Sequence, residues 1–130
     1  MIEAADLLAN LAEPANSDAA LVRRGRYLNT VFLLGIGEAS FYITIAAGRV
    51  AGIEKAPKLL KAFSFSVKAG RDAWNAFWQP VPRPGFHDIF ALTKGGHAAI
   101  EGDVKVLLTH LRYLKELLAT PRGRMGGLGG

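Results

Sequence analysis

The chain has 130 residues, half of them apolar, no cysteine and a net charge of +5. That length suits one domain burying about two-thirds of its unfolded surface without staples, and the missing cysteine excludes a disulfide framework, a thiolate nucleophile and a Cys-ligated zinc site. Charge selects no partner: Glu3, Asp6, Glu13 and Asp18 are uncompensated in residues 1–20, leaving a basic body that would attract anionic lipid, acyl phosphates or nucleic acid alike.

Met1 to Asp6 is acidic where a secretory signal would be basic, and no apolar run approaches the ~20 residues of a spanning helix, so a cytoplasmic, unprocessed protein is expected. Ile2, Ala5, Leu8, Ala9 and Ala12, widened by Leu7 and Leu11, predict an amphipathic helix that Pro14 stops. Asn16-Ser17-Asp18 offers caps for a further turn or two ending near Arg23-Arg24-Gly25-Arg26, so residues 1–28 form an N-terminal helical region. From Thr30 the period changes. Val31 to Leu34 is a continuous apolar run, Gly35-Ile36-Gly37 breaks it, and Phe41, Ile43 and Ile45 alternate up to Ala47-Gly48, which predicts a hairpin. A third strand runs from Arg49 to Glu54. After the basic link Lys55-Ala56-Pro57-Lys58, the alternation of Phe63, Phe65 and Val67 predicts a fourth. Short links between four successive strands imply a largely antiparallel meander.

A short helix is expected around Asp72 to Trp78. Pro80, Pro82 and Pro84 then stiffen an extended segment suited to a pocket rim. Asp88 caps a helix through Leu92, Gly95-Gly96 ends it, and His97 to Glu101 predicts a fifth strand. Asp103 starts a closing helix striped by Val104, Leu107, Leu108, Leu111, Leu114 and Leu118, and Thr120-Pro121 ends it. The pattern reads as one domain over residues 1–120, with a disordered Gly/Arg tail over 121–130.

Chemistry-bearing residues are sparse. Gly35-Ile36-Gly37 lacks the third glycine and the following helix of a phosphate-binding loop, so it reads as a hairpin turn. His97 and Glu101 are the one nearby donor pairing on a shared side, with no second histidine near, and no metal or cofactor is expected. His87 beside Asp88 is the one credible acid-base pair, though a capped helix start explains it more simply. None of Ser17, Ser40, Ser64 and Ser66 sits in a nucleophile elbow, and the lone Arg-Gly unit of the tail has no interleaved aromatics, so neither acyl transfer nor nucleic-acid binding is expected. Trp74, Phe77 and Trp78 share a helical neighbourhood and would serve equally as core. With Phe86 and Phe90 they make five rings within seventeen residues, beside Phe63 and Phe65. Rigid rings in such excess point to the wall of a cavity for an apolar ligand, closed by the stripe of Leu107, Leu111 and Leu114.

From about Asn29 to Leu118 the chain resembles the sterol carrier protein type 2 family. The residues that carry the likeness are the hairpin ending Ala47-Gly48-Arg49-Val50, the strand Phe63 to Lys68 leading into the Asp72 to Trp78 helix, and the run Gly95-Gly96-His97-Ala98-Ala99-Ile100-Glu101-Gly102-Asp103. The resemblance implies an α+β fold: a five-stranded, largely antiparallel sheet, helices over one face and a hydrophobic tunnel between the layers. It implies non-enzymatic binding, and transfer, of a sterol, fatty acid or acyl-CoA. Gly96, Ile100, Gly102 and Asp103 would be architectural, with Phe65, Trp74, Phe77, Phe90, Leu107 and Leu111 lining the tunnel. Pro80 to Pro84 is richer in proline than the family pattern, and the lack of a peroxisomal signal points to a bacterial stand-alone member.

Two other readings stay open. One is a small enzyme with a deep apolar pocket, acting on a steroid-like substrate through His87 or Asp88; no acidic residue sits within the aromatic cluster itself. The other is an accessory subunit, whether a homodimer or bound to an enzyme partner, whose groove receives a helix. Lys55, Lys58 and Lys61 with Arg23, Arg24 and Arg26 are expected to form a patch that docks transiently on anionic membrane.

Overall fold

The strand patterns between residues 29 and 56 become three antiparallel strands, β1 (Asn29–Ile36), β2 (Ala39–Ala46) and β3 (Arg49–Ala56), in a computed structural model that describes residues 2–56 and 62–124. Leu34 pairs with Phe41, and Phe32 with Ile43, so the large apolar groups of both strands fall on one face. There they join Ile53, the helices and a continuous core.

The meander stops at β3. The fourth strand, β4 (Phe65–Ala69), returns to the other side of β1 and pairs with it in parallel; β5 (Ala98–Gly102) pairs antiparallel with β4. The sheet order is therefore β3-β2-β1-β4-β5, mixed but mostly antiparallel. A parallel pair needs a long crossover, and here the β2–β3 hairpin supplies most of it.

Three predictions outside the sheet need revision. The N-terminal helix does not stop at Pro14: α1 (Ala4–Leu7) runs into a π-turn over Leu8–Ala12 and on through α2 (Glu13–Ser17). Proline lies in the first turn of α2, where its missing N–H is harmless, and the wider π-turn absorbs the change in register. Helix α3 (Ala19–Arg24) follows, capped by the Asp18 carboxylate on the Leu21 N–H. The closing helix is two, α6 (Val104–Thr109) and α7 (Leu111–Ala119), broken at His110 with φ −115° and ψ 31°. The break divides the leucine stripe. Leu107, Leu114, Leu117 and Leu118 are fully buried, whereas Leu108 is 55% exposed and Leu111 is half-buried. Finally, the start of the expected tail is docked: Arg122 donates through Nε to the Phe77 carbonyl at 2.9 Å, and the Gly123 N–H donates to the Trp78 carbonyl at 2.9 Å. Residues 125–130 lie outside the described set.

Tyr113 on α7 ties the helix layer to the sheet. Its hydroxyl donates to the Gly48 carbonyl at 2.7 Å, and burial pushes its pKa from 10 up to about 12. A folded pKa above the unfolded value gives stability that is complete below about pH 10 and lost as pH rises toward 12. Two units correspond to up to ~3 kcal/mol. Denaturant midpoints measured between pH 9 and about pH 12 should therefore fall, and Tyr113→Phe should flatten the slope; an equally steep fall in the variant would show that another group carries it.

Candidate functional site

Helix α4 (Arg71–Phe77) presents Ala73, Trp74, Ala76 and Phe77 to the core, and Trp78 closes its last turn. The ring centroids of Trp74 and Trp78 stack at 5.0 Å, and Phe77 meets Trp74 edge-on at 5.4 Å. Each indole finds a buried acceptor. Trp74 Nε1 donates to the Gly35 carbonyl of β1 at 2.8 Å and Trp78 Nε1 to the Leu118 carbonyl of α7 at 2.7 Å. The three predicted rings thus join sheet and closing helix through packing and two satisfied donors.

Phe65 belongs to the same core and stacks on Phe32 at 5.1 Å. Phe65, Trp74, Leu107 and Leu114 have no exposed surface, so no water-sized void borders them and the layers close over them. Surface clefts lined by described residues include one of about 550 Å³ at Gly37, Glu38, Gly70, Arg71 and Asp72. The predicted rings do not line it.

Phe63 departs from the prediction. A strand running unbroken through residues 63 to 65 would put both phenylalanines on one face; β4 begins only at Phe65, after a bend at Ser64. Gly102 explains the bend: it has φ +97°, and a Cβ there would meet the Ser64 carbonyl at 2.7 Å and the Phe65 Cα at 2.9 Å. The Asp103 N–H then donates to the same carbonyl at 2.7 Å. Phe63 instead lies against Tyr42, which alternation places on the outer face of the sheet, and is 43% exposed. It does not share a site with the other rings.

Phe86, Phe90 and Leu111 gather elsewhere, around the segment that starts α5 (Ile89–Lys94). Phe86 is buried against His97, with ring centroids 4.8 Å apart. Phe90 is half-buried, and Lys115 Nζ lies 5.6 Å from its ring centroid. Lys115 also pairs with Asp88 at 3.3 Å. Leu111 stands one helical turn before Lys115 on the same side of α7 and is half-buried. Ile100 on β5 pairs with Val67 and is half-buried against the core. Phe90 on α5 and Ile100 on β5 are thus half-buried on the core, and Leu111 on α7 is half-buried beside the seam at which Lys115 joins α7 to α5. Sequence reasoning named Phe90 and Leu111 here but gave Ile100 only an architectural role and missed Lys115, whose part depends on Asp88 being brought opposite α7.

Asp88 is the polar hub of this seam. Its Oδ1 accepts from the Ala91 N–H at 2.9 Å, capping α5. Partial burial raises its pKa, but the Ala91 bond and Lys115 outweigh that and hold it below the ordinary 3.8. A carboxylate held ionised as a helix cap is no proton acceptor poised near neutrality, which weakens Asp88 as the base of an enzyme. Among the described residues no cluster of three potential metal ligands occurs, and no helix is long and apolar enough to cross a membrane.

The basic patch also comes apart. Gly25, between Arg24 and Arg26, packs on the β2–β3 turn at Gly48, while Lys55 sits at the other end of β3 and pairs with Glu3. Six residues of strand, about 20 Å, separate the two ends. Arg24 is committed to Glu116, and Lys58 and Lys61 lie outside the described residues.

No family model matches the sequence, and no curated protein matches it. Solved structures do match in fold. A conserved hypothetical protein of Thermus thermophilus, suggested to be a sterol carrier protein, superposes with TM-score 0.73 at 13% identity, covering 98% of this chain and 92% of that one. Sterol carrier protein 2 gives 0.70 at 12%, covering 92% and 95%. UbiJ-SCP2, a ubiquinone synthesis protein, gives 0.60 at 14%, covering 88% and 91%.

Proposed function

We propose that this chain, whose fold is sterol carrier protein 2-like with helices packed on the core face of a five-stranded mixed sheet, is a cytoplasmic carrier. It binds one hydrophobic ligand without transforming it, the alkyl or ring portion lying along the seam of Phe90, Ile100 and Leu111. The observation that carries this reading is the unfinished closure of that seam: large apolar side chains stay half-exposed there while their neighbours Leu107 and Leu114 are fully buried. The ligand would part α5 from α7 and extend toward Leu107, completing the burial at ~25 cal/mol per Å² of apolar surface removed from water. Trp74, Phe77, Trp78 and Phe65 then form the packed wall behind the site. Beyond the fold, the likeness to carriers named for sterols supports a lipid-like ligand. The likeness to a ubiquinone synthesis protein supports a second reading, in which the ligand is held for a partner enzyme.

Native mass spectrometry of the purified protein should show one co-purified lipid-like mass per chain. The delipidated protein should bind a fluorescent fatty acid with micromolar or tighter affinity. Leu111→Ala should weaken that binding several-fold while costing under ~1 kcal/mol of stability, since Leu111 is only half-buried. Leu108→Ala, at an exposed position, should change neither. A delipidated protein that takes up neither a fatty acid nor a sterol probe would end the carrier reading.

A further inference from the structure

Three cations converge on the five residues from Phe86 to Phe90. The Arg83 guanidinium lies 4.3 Å from the Phe86 ring centroid. Arg122 donates from Nη2 to the His87 carbonyl at 3.0 Å. Lys115 pairs with Asp88 at 3.3 Å and lies 5.6 Å from the Phe90 ring centroid. Against them the described contacts supply one carboxylate, Asp88, and it already caps α5 through its other oxygen. The segment is thus locally cationic where the apolar seam opens. Lys115 and Asp88 each keep about a third of their side chains exposed, so solvent, and an incoming anion, can reach the pair.

We infer that Lys115 is the headgroup residue of the seam, binding the carboxylate of a long-chain fatty acid whose alkyl chain follows Phe90 and Leu111. This rests on the carrier reading above and narrows it to an ionised amphiphile rather than a neutral sterol. The physical basis is competition at a single cation. Asp88 holds Lys115 at the mouth, and a ligand carboxylate at the same point accepts the charge-assisted bond in its place. Asp88 is not stranded by the exchange, because it keeps the Ala91 N–H and the attraction of Arg122. Arg83 and Arg122 are less suited to the contact: one is stacked on Phe86, and the other is occupied by the Phe77 and His87 carbonyls. The phenyl ring of Phe90 keeps the ammonium near the apolar wall through its π-face.

Calorimetry at pH 8 with dodecanoate, 1-dodecanol and dodecyl phosphate presents one alkyl chain with three headgroups. Dodecanoate should bind the delipidated protein about tenfold more tightly than the alcohol, a preference that Lys115→Gln removes. Asp88→Asn, which keeps a capping oxygen but takes away the competing charge, should shift dodecanoate the other way, several-fold tighter, and leave the alcohol unchanged. Opposite signs from the two variants cannot come from general loss of folding. Equal binding of acid and alcohol, unchanged in both variants, would overturn the headgroup role while leaving the carrier reading in place. Binding of none of the three would remove the carrier reading itself. Dodecyl phosphate bound tighter than dodecanoate with the same dependence on Lys115 would overturn the choice of carboxylate in favour of a phosphorylated lipid.

Discussion

Trp78→Ala is expected to cost about 3–5 kcal/mol, a large share of the ~5–15 kcal/mol that holds a domain of this size. The indole is fully packed against Trp74, Phe77 and α7, so truncation leaves a void and also strips the Leu118 carbonyl of its donor. Urea titration followed by circular dichroism would read the loss directly. Trp74→Phe keeps an aromatic ring in place but removes part of the indole together with its bond to the Gly35 carbonyl, the lost bond alone costing ~1–3 kcal/mol. The experiment also decides the role of the cluster: a wall already facing open space would lose little, so a cost below about 1 kcal/mol for Trp78→Ala would mean that these rings line a cavity.

Gly48→Ala is the second large effect, expected at about 3 kcal/mol or more. Gly48 has φ +81°, where an L side chain is strained, and a Cβ there would lie 2.4 Å from the Val22 carbonyl oxygen and 2.8 Å from the Gly25 carbonyl carbon. Both are backbone atoms that cannot swing aside. The same residue accepts the Tyr113 hydroxyl, so its displacement would loosen α7 from the sheet. Ala47→Gly at the adjacent position, where φ is 50°, is the control and should stay within about 1 kcal/mol of the parent, because relief of strain and added chain entropy oppose each other. If Gly48→Ala melts with the parent, the turn is not the fixed point described above.

The sheet was legible in the sequence because its signals are local. A continuous apolar run marked β1, alternation marked β2 and β4, the turn at Ala47-Gly48 introduced β3 and the glycine pair Gly95-Gly96 introduced β5. The parallel return of β4 was not legible, since which edge of β1 is free depends on where the β2–β3 hairpin lies. Phe63 failed for a similar reason: its phase is set by the contact of Gly102 with Ser64, thirty-eight residues away. The closing stripe failed at His110, where no proline or glycine announces the break between α6 and α7. The aromatic cluster was found, but its composition alone could not separate a lined cavity from a packed wall. Lys115 drew no notice because an exposed-looking lysine acquires its meaning only from Asp88 and Phe90 across the seam.

Helix α7 touches four separate parts of the chain through four of its residues: Arg24 through Glu116, the β2–β3 turn through Tyr113, Trp78 through the Leu118 carbonyl and the α5 segment through Lys115. All four partners precede it in sequence. A chain made from its N-terminus therefore has all five strands and both tryptophans in hand before the element that joins them exists. Until residues 111–119 have left the ribosome, the Trp78 indole has no acceptor on α7 and the apolar face of the sheet no lid at that end. The nascent chain thus keeps that apolar surface exposed, and open to misassembly, until α7 has been made and docks.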